Sequence, residues 1–149
     1  MSPIKSKQRK PHDIEQTLIS SLRDRGYKLT PQRREIIRLL SRSRSHPGAM
    51  EILRKVKKTV PQISMSTVYY TLDMMKKEGL IRELEYYDME NRYEINVSDH
   101  INLVCTKCRK ITDFTGDVPS FSRAVEKETG FKSSSMRFEY YGTCRHCGK

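Results

Sequence analysis

The chain has 149 residues, with 29 Lys+Arg against 18 Asp+Glu and a formal net charge of +11. That length suits one or two small domains and excludes a large multidomain machine. Charged residues make up 32% and hydrophobic ones 36%, and the apolar positions recur in ordered patterns, which argues against wholesale disorder. No apolar run approaches the roughly 18 residues of a membrane span, and the N-terminus lacks the apolar stretch of a secretory signal. A basic, cytoplasmic protein is expected, and its charge points to a polyanionic partner, nucleic acid first.

Residues 1–11 read as a basic flexible tail with Lys5, Lys7, Arg9 and Lys10, either solvated or touching phosphates. Residues 12–25 put Ile14, Leu18, Ile19 and Leu22 on one helical face, and Gly26 ends the helix. Thr30-Pro31 is a strong helix start, with Thr as N-cap and Pro at the first helical position. The helix that follows covers residues 32–43 with Ile36, Ile37, Leu39 and Leu40 inward. A third helix over 49–60 buries Ile52, Leu53 and Val56 and stops at Pro61. Ser64 or Ser66 caps a fourth over 65–78, closed by Gly79. Its core face is Val68, Leu72 and Met75, while Thr67, Tyr70 and Met74 fall on other faces. Residues 80–87 and 91–97 alternate apolar and polar around a turn at 88–91, which reads as a β-hairpin. Helices followed by a two-stranded hairpin make the winged-helix pattern, a helix-turn-helix variant.

From residue 98 the character changes. Short strands are expected over 101–104, 110–115 and 136–141, and a helix over 119–128 with Phe121, Val125 and Ala124 inward. A unit of about 50 residues is marginal on its own and needs a metal or a partner subunit. The cysteines supply the first. Cys105, Cys108, Cys144 and Cys147 form two C-x-x-C pairs separated by 35 residues, the pattern of a tetrahedral structural Zn2+ site. The rival is a redox dithiol, which needs one C-x-x-C at a strand-helix junction rather than two pairs at the ends of a domain. The fold class is therefore α+β: an N-terminal winged helix and a small C-terminal α/β domain. Residues 1–97 carry 20 Lys+Arg and 12 Asp+Glu, against 9 and 6 in residues 98–149, so positive charge concentrates on the helical half. No Gly-rich phosphate loop or Ser-His-Asp order stands out, and the chain is not expected to be an enzyme.

The segments GYKLTPQRREIIRLL, SHPGAMEI, ISMSTVYYTLDMMKKEGLI, NRYEINVSDHINLVCTKCRKITDF and YGTCRHCGK follow one another in order. They resemble the ferric uptake regulator family of metal-dependent repressors, and within it the peroxide-stress regulator branch. The resemblance covers roughly residues 14–148. It implies a homodimer built from a winged-helix DNA-binding domain (residues 12–97) and a dimerisation domain (98–149), acting on a near-palindromic double-stranded DNA operator. The recognition-helix candidates for base contact are Ser66, Thr67, Tyr69 and Tyr70. Tyr69 matches the family's Tyr, and Tyr70 stands where many members carry Arg or Asn; helical spacing also allows one of the two to be core. Lys28 resembles a residue that probes the minor groove. Arg33 and Arg92 are phosphate-contact candidates or plain surface cations.

The same resemblance implies a regulatory Fe2+ or Mn2+ site with His46, Glu94, His100 and Asp113 as ligands, donors suited to those ions. The family's fifth ligand, a second His in an H-x-H pair, falls on Asn102. Glu94 replaces the Asp of the peroxide branch. A further family site that uses a His after the GF motif has no His in residues 132–138. In the peroxide branch, bound Fe2+ reacts with peroxide and oxidises a ligand His; His46 and His100 match the oxidisable positions. The alternative function is a constitutive winged-helix regulator with structural zinc only.

Overall fold

The structure is a computed structural model that describes residues 10–149, the Pro119 side chain excepted. The expected tail over 1–11 falls, through Arg9, outside the described residues, and Pro11 already opens the first helix. The chain divides between Val97 and Ser98 into two units.

The first unit runs α1 (Pro11–Asp24), α2 (Pro31–Arg42), α3 (Ala49–Val56), α4 (Met65–Lys77), β1 (Arg82–Leu84) and β2 (Arg92–Glu94). Side-chain caps set two of the helix starts. Thr30 accepts the Arg33 N–H at 3.3 Å, and Ser64, rather than Ser66, accepts the Thr67 N–H at 3.2 Å. Both satisfy an N–H that the first helical turn leaves without a carbonyl. The apolar faces converge on one core that includes Leu22, Ile36, Ile37, Ile52, Val56, Val68, Leu72 and Met75. Each fully buried aliphatic side chain of this kind contributes about 1.5–3 kcal/mol. Leu39 and Leu53 pack against the core while remaining partly exposed.

Three sequence expectations are corrected in this unit. Helix α3 stops at Val56 rather than near 60, because Val60 precedes Pro61 and that neighbour disfavours helical backbone; a turn with Val60 N–H donating to the Val56 carbonyl at 2.8 Å replaces the last helical turn. Met74 is buried, 5% exposed, so the core-facing stripe of α4 is broader than the Val68-Leu72-Met75 line. The strands of the wing are three residues each, antiparallel with Arg82 opposite Glu94 and Leu84 opposite Arg92, and the connection is a long loop rather than a tight turn at 88–91. Glu90 explains the loop. Its carboxylate accepts the Met50 N–H at 2.9 Å and occupies the space that a Cβ on Gly48 would need. The loop is thereby drawn onto the N-terminus of α3, whose N-cap Gly48 has no side chain to offer.

The second unit holds β3 (Ile101–Cys105), β4 (Ile111–Phe114), α5 (Val118–Thr129) and β5 (Phe138–Gly142). The sheet order is β4-β3-β5, with β3 antiparallel to β4 and parallel to β5. Asp117 caps α5 through the Ser120 N–H at 3.2 Å, and Gly130 ends it in the left-handed conformation at φ 72°. The expected inward face of α5 is corrected: Phe121 is 54% exposed and Ala124 is exposed. Phe121 instead meets Phe138 edge to face with ring centroids 5.3 Å apart. Among the described residues of this unit, the buried apolar side chains are Val104, Cys105, Ile111 and Val118, a core too small to hold about 50 residues without help.

Candidate metal centres and nucleic-acid face

The four cysteines come together at one end of the β3–β5 sheet. Parallel pairing sets Cys105 opposite Gly142, so both C-x-x-C turns leave the sheet at the same end. The first turn closes with the Arg109 N–H on the Cys105 carbonyl at 2.9 Å, with Arg109 in the left-handed region at φ 62°. The second closes with the Cys147 and Gly148 N–H groups on the Cys144 carbonyl, each at 3.0 Å. Lys107 ties the turns together by donating to the Cys147 carbonyl at 3.2 Å. All four sulfurs lie within 4.8 Å of one another. Thiolates about 2.3 Å from a tetrahedral zinc stand about 3.8 Å apart, and the Cys108 and Cys144 sulfurs are separated by 3.8 Å. The donor set and spacing fit structural zinc.

The thiols are unequal. The backbone N–H groups of Cys108 and Cys144 favour the Cys105 thiolate and bring that thiol down to about 6. The Cys147 backbone likewise lowers Cys144. Cys147 is pushed up to about 12 by sharing its proton with the Cys144 and Cys108 sulfurs. Metal binding at such a set releases the remaining protons.

The other ligand-type residues fall in two pairs, one per unit. In the first unit, His46 Nε2 lies 3.0 Å from Glu94 Oε2, and both side chains are about 5% exposed or less. Local geometry puts them there. The Pro47 carbonyl accepts the Tyr93 N–H at 3.0 Å and Gly48 bridges to Arg92, which straps residues 46–48 along β2 beside Glu94. His46 itself sits at φ 50°, a left-handed conformation that costs a non-glycine residue energy and marks a constrained position.

In the second unit, His100 Nδ1 lies 2.8 Å from the Ser98 carbonyl. An Nδ1–H bond to a carbonyl leaves Nε2 with its lone pair, the tautomer a metal ligand needs. That Nε2 lies 3.8 Å from Asp113 Oδ1. Asn102 stands directly opposite Asp113 across the β3–β4 ladder.

The recognition-helix candidates line the start of α4. Tyr69 and Tyr70 are 49% and 60% exposed, so neither is core. Ser66 is exposed. Thr67 has its hydroxyl 3.0 Å from that of Ser64, which places it in the helix cap. Lys28 is exposed. Arg33 spans two of the candidates: its guanidinium donates to the Lys28 carbonyl at 2.6 Å and lies over the Tyr70 ring, 5.1 Å from its centroid. A cation over an aromatic face is attractive, so Arg33 fixes the Tyr70 ring as well as carrying charge.

Sequence reasoning missed Glu83. This β1 carboxylate accepts hydrogen bonds from Lys76 on α4 at 2.5 Å, from Asn91 at 3.0 Å and from the Tyr93 hydroxyl at 3.0 Å. It therefore fastens the wing to α4. Burial pushes its carboxyl up, but the three donors outweigh burial and leave it below its ordinary value. Burial beside Glu83 raises the Tyr93 phenol strongly. Strand alternation gave Glu83 only as a polar position, with no sign of its partners.

Residues 24–141 match the profile of the ferric uptake regulator family. The chain is 36% identical over 137 residues to the peroxide-responsive repressor PerR of Staphylococcus aureus, covering 91% of this chain and 92% of that one. Among solved structures, the Helicobacter pylori ferric uptake regulator Fur, described with three functional metal-binding sites, superposes with a TM-score of 0.78 at 27% identity, over 100% of this chain and 98% of that one. The Campylobacter jejuni peroxide stress regulator gives 0.72 at 30% identity, over 87% and 98%.

Proposed function

Since the chain belongs to the ferric uptake regulator family, we propose that it is a metal-responsive DNA-binding repressor of metal-homeostasis or peroxide-stress genes, acting as a cytoplasmic homodimer on a near-palindromic double-stranded operator. The observation that carries this reading is the gathering of metal-ligand residues within each unit: His46 against Glu94 in the first, His100 against Asp113 in the second. Two imidazoles and two carboxylates suit Fe2+ or Mn2+, and the Ser98 carbonyl already sets the His100 tautomer.

His46, Glu94, His100 and Asp113 would hold the regulatory Fe2+ or Mn2+, which would supply positive charge to these nitrogen and carboxylate donors and so couple its binding to that of DNA. The chain's own residues do the rest. Glu94 lies on β2, whose neighbour Tyr93 bonds to Glu83, and Glu83 holds Lys76 of α4. The ligand pair therefore belongs to a wing fastened to the recognition helix. Ser66, Thr67, Tyr69 and Tyr70 read base edges from the start of α4. Lys28 and Arg33 meet the backbone, and the net positive charge of this half steers the approach. Cys105, Cys108, Cys144 and Cys147 would hold a zinc ion that would keep the second unit folded for dimerisation.

The test is a pair of variants, His46→Gln and His100→Gln, each retaining the four-cysteine zinc. Each is expected to keep basal DNA affinity and lose its dependence on Mn2+. Variants whose DNA affinity still rises with Mn2+ as in the unsubstituted protein would remove these residues from the switch.

A further inference from the structure

Asn102 is 3% exposed, and its Oδ1 has no hydrogen-bond partner. Burying an amide oxygen away from any donor is unfavourable, and folded proteins rarely leave one so. The surroundings are those of a ligand site. His100 and Asn102 are two apart at the start of β3, and both are buried while Ile101 and Leu103 are more exposed; alternation along a strand puts them on one face. Asp113 is the direct cross-strand partner of Asn102, and directly opposed residues project to the same face. Asp113 Oδ1 is in turn 3.8 Å from His100 Nε2. A buried carbonyl-type oxygen without a donor thus shares a sheet face with an imidazole and a carboxylate.

Building on the metal-responsive reading, we propose that Asn102 is itself a ligand of the regulatory metal through Oδ1 and shifts the site's selectivity away from Zn2+ toward a harder cation such as Mn2+. An amide oxygen is a neutral, hard donor of the kind found in oxygen-rich divalent-cation sites. With His100 and Asp113 of the same unit it gives one nitrogen and two oxygens. Zn2+ gains most from imidazole and thiolate, whereas carboxylate and carbonyl oxygen suit Mn2+. An oxygen at this position therefore lowers Zn2+ affinity relative to Mn2+ without removing a coordinating atom. The carboxamide also adds no negative charge beside Asp113, as a carboxylate would.

The test uses the full-length dimer with its four-cysteine zinc in place. Mn2+ affinity is read from the electron paramagnetic resonance of the free ion, and Zn2+ affinity from competition with a chromophoric chelator. Asn102→Leu keeps the heavy-atom count and the branching at Cγ and removes the oxygen; it is expected to weaken Mn2+ binding at least tenfold. Asn102→His is expected to raise the ratio of Zn2+ to Mn2+ affinity at least tenfold. Retention of one zinc per chain and an unchanged thermal midpoint show that each variant is folded, and either variant suffices if the other fails this check. Unchanged Mn2+ affinity in Asn102→Leu, or an unchanged ratio in Asn102→His, overturns the assignment of Asn102 while leaving the metal-responsive reading in place. An unsubstituted protein that binds neither Mn2+ nor Fe2+ beyond its structural zinc overturns both.

Discussion

Cys108→Ser separates the contribution of zinc from that of packing. Cys108 is an exposed turn residue, unlike the buried Cys105, so serine there removes almost no apolar contact. What it removes is one corner of a sulfur set in which the 3.8 Å between Cys108 and Cys144 is the edge of a tetrahedral site. A structural zinc of this type is worth about 10–16 kcal/mol in small peptides near neutral pH. Whole domains are stable by only about 5–15 kcal/mol. The second unit buries Val104, Cys105, Ile111 and Val118, each contributing about 1.5–3 kcal/mol, against backbone ordering of about 1–2 kcal/mol for every residue fixed. Loss of zinc therefore exceeds anything its core can offset. Zinc content and amide hydrogen exchange read the outcome. The variant should hold less than one zinc per chain, lose protection along β3, β4 and β5, and keep the protection of α1–α4, whose core lies wholly in the first unit. A zinc-free variant with β3–β5 still protected would refute the view that metal holds this unit together.

Glu83→Gln should loosen the wing and flatten the acid limb of stability. The Glu83 carboxyl is lowered on balance by Lys76, Asn91 and Tyr93, so its contribution is full above the ordinary carboxylate range and is lost as pH falls through the lowered value; equal acid midpoints for variant and parent would contradict this. Tyr70→Ala should weaken operator binding and free the Arg33 guanidinium now lying over the ring, with about 1–3 kcal/mol of base discrimination at stake if the ring reads a base. Quantitative binding to the operator and to single-site mutants of it checks the effect, and uniform loss on all sequences would assign Tyr70 to the backbone instead. Protein loaded with Fe2+ without oxygen and then treated with peroxide should gain one oxygen on a peptide bearing His46 or His100. Iron-loaded protein with both peptides unmodified would place the chain among metal sensors rather than peroxide sensors.

The features written in local chemistry were legible in the sequence. Thr30-Pro31 announced α2, the i, i+4, i+7 spacing of Val68, Leu72 and Met75 gave the core face of α4, and two C-x-x-C pairs announced a metal site whose sulfurs do converge. Features set by contacts distant in sequence were not. The length of the wing loop depends on Glu90 reaching Met50, 40 residues earlier. The anchoring of the wing depends on Glu83 meeting Lys76 and Tyr93 together. Helical periodicity marks Phe121 as core, yet it is half exposed, with its ring edge to face on Phe138 of β5. The departure at Asn102 was visible as a residue type, but its buried, unpartnered oxygen emerges only from the pairing of β3 with β4.

Control by a regulatory metal requires coupling between metal binding and DNA binding. The most direct measurement is the affinity of the zinc-retaining dimer for a palindromic, AT-rich duplex with and without Mn2+, at one fixed salt concentration, since phosphate contacts alone make affinity salt-dependent. A gain of about tenfold with Mn2+, about 1.4 kcal/mol of coupling, is the predicted result. Equal affinity in both states would contradict it and leave a zinc-stapled DNA-binding protein whose His46, Glu94, His100 and Asp113 play no part in control.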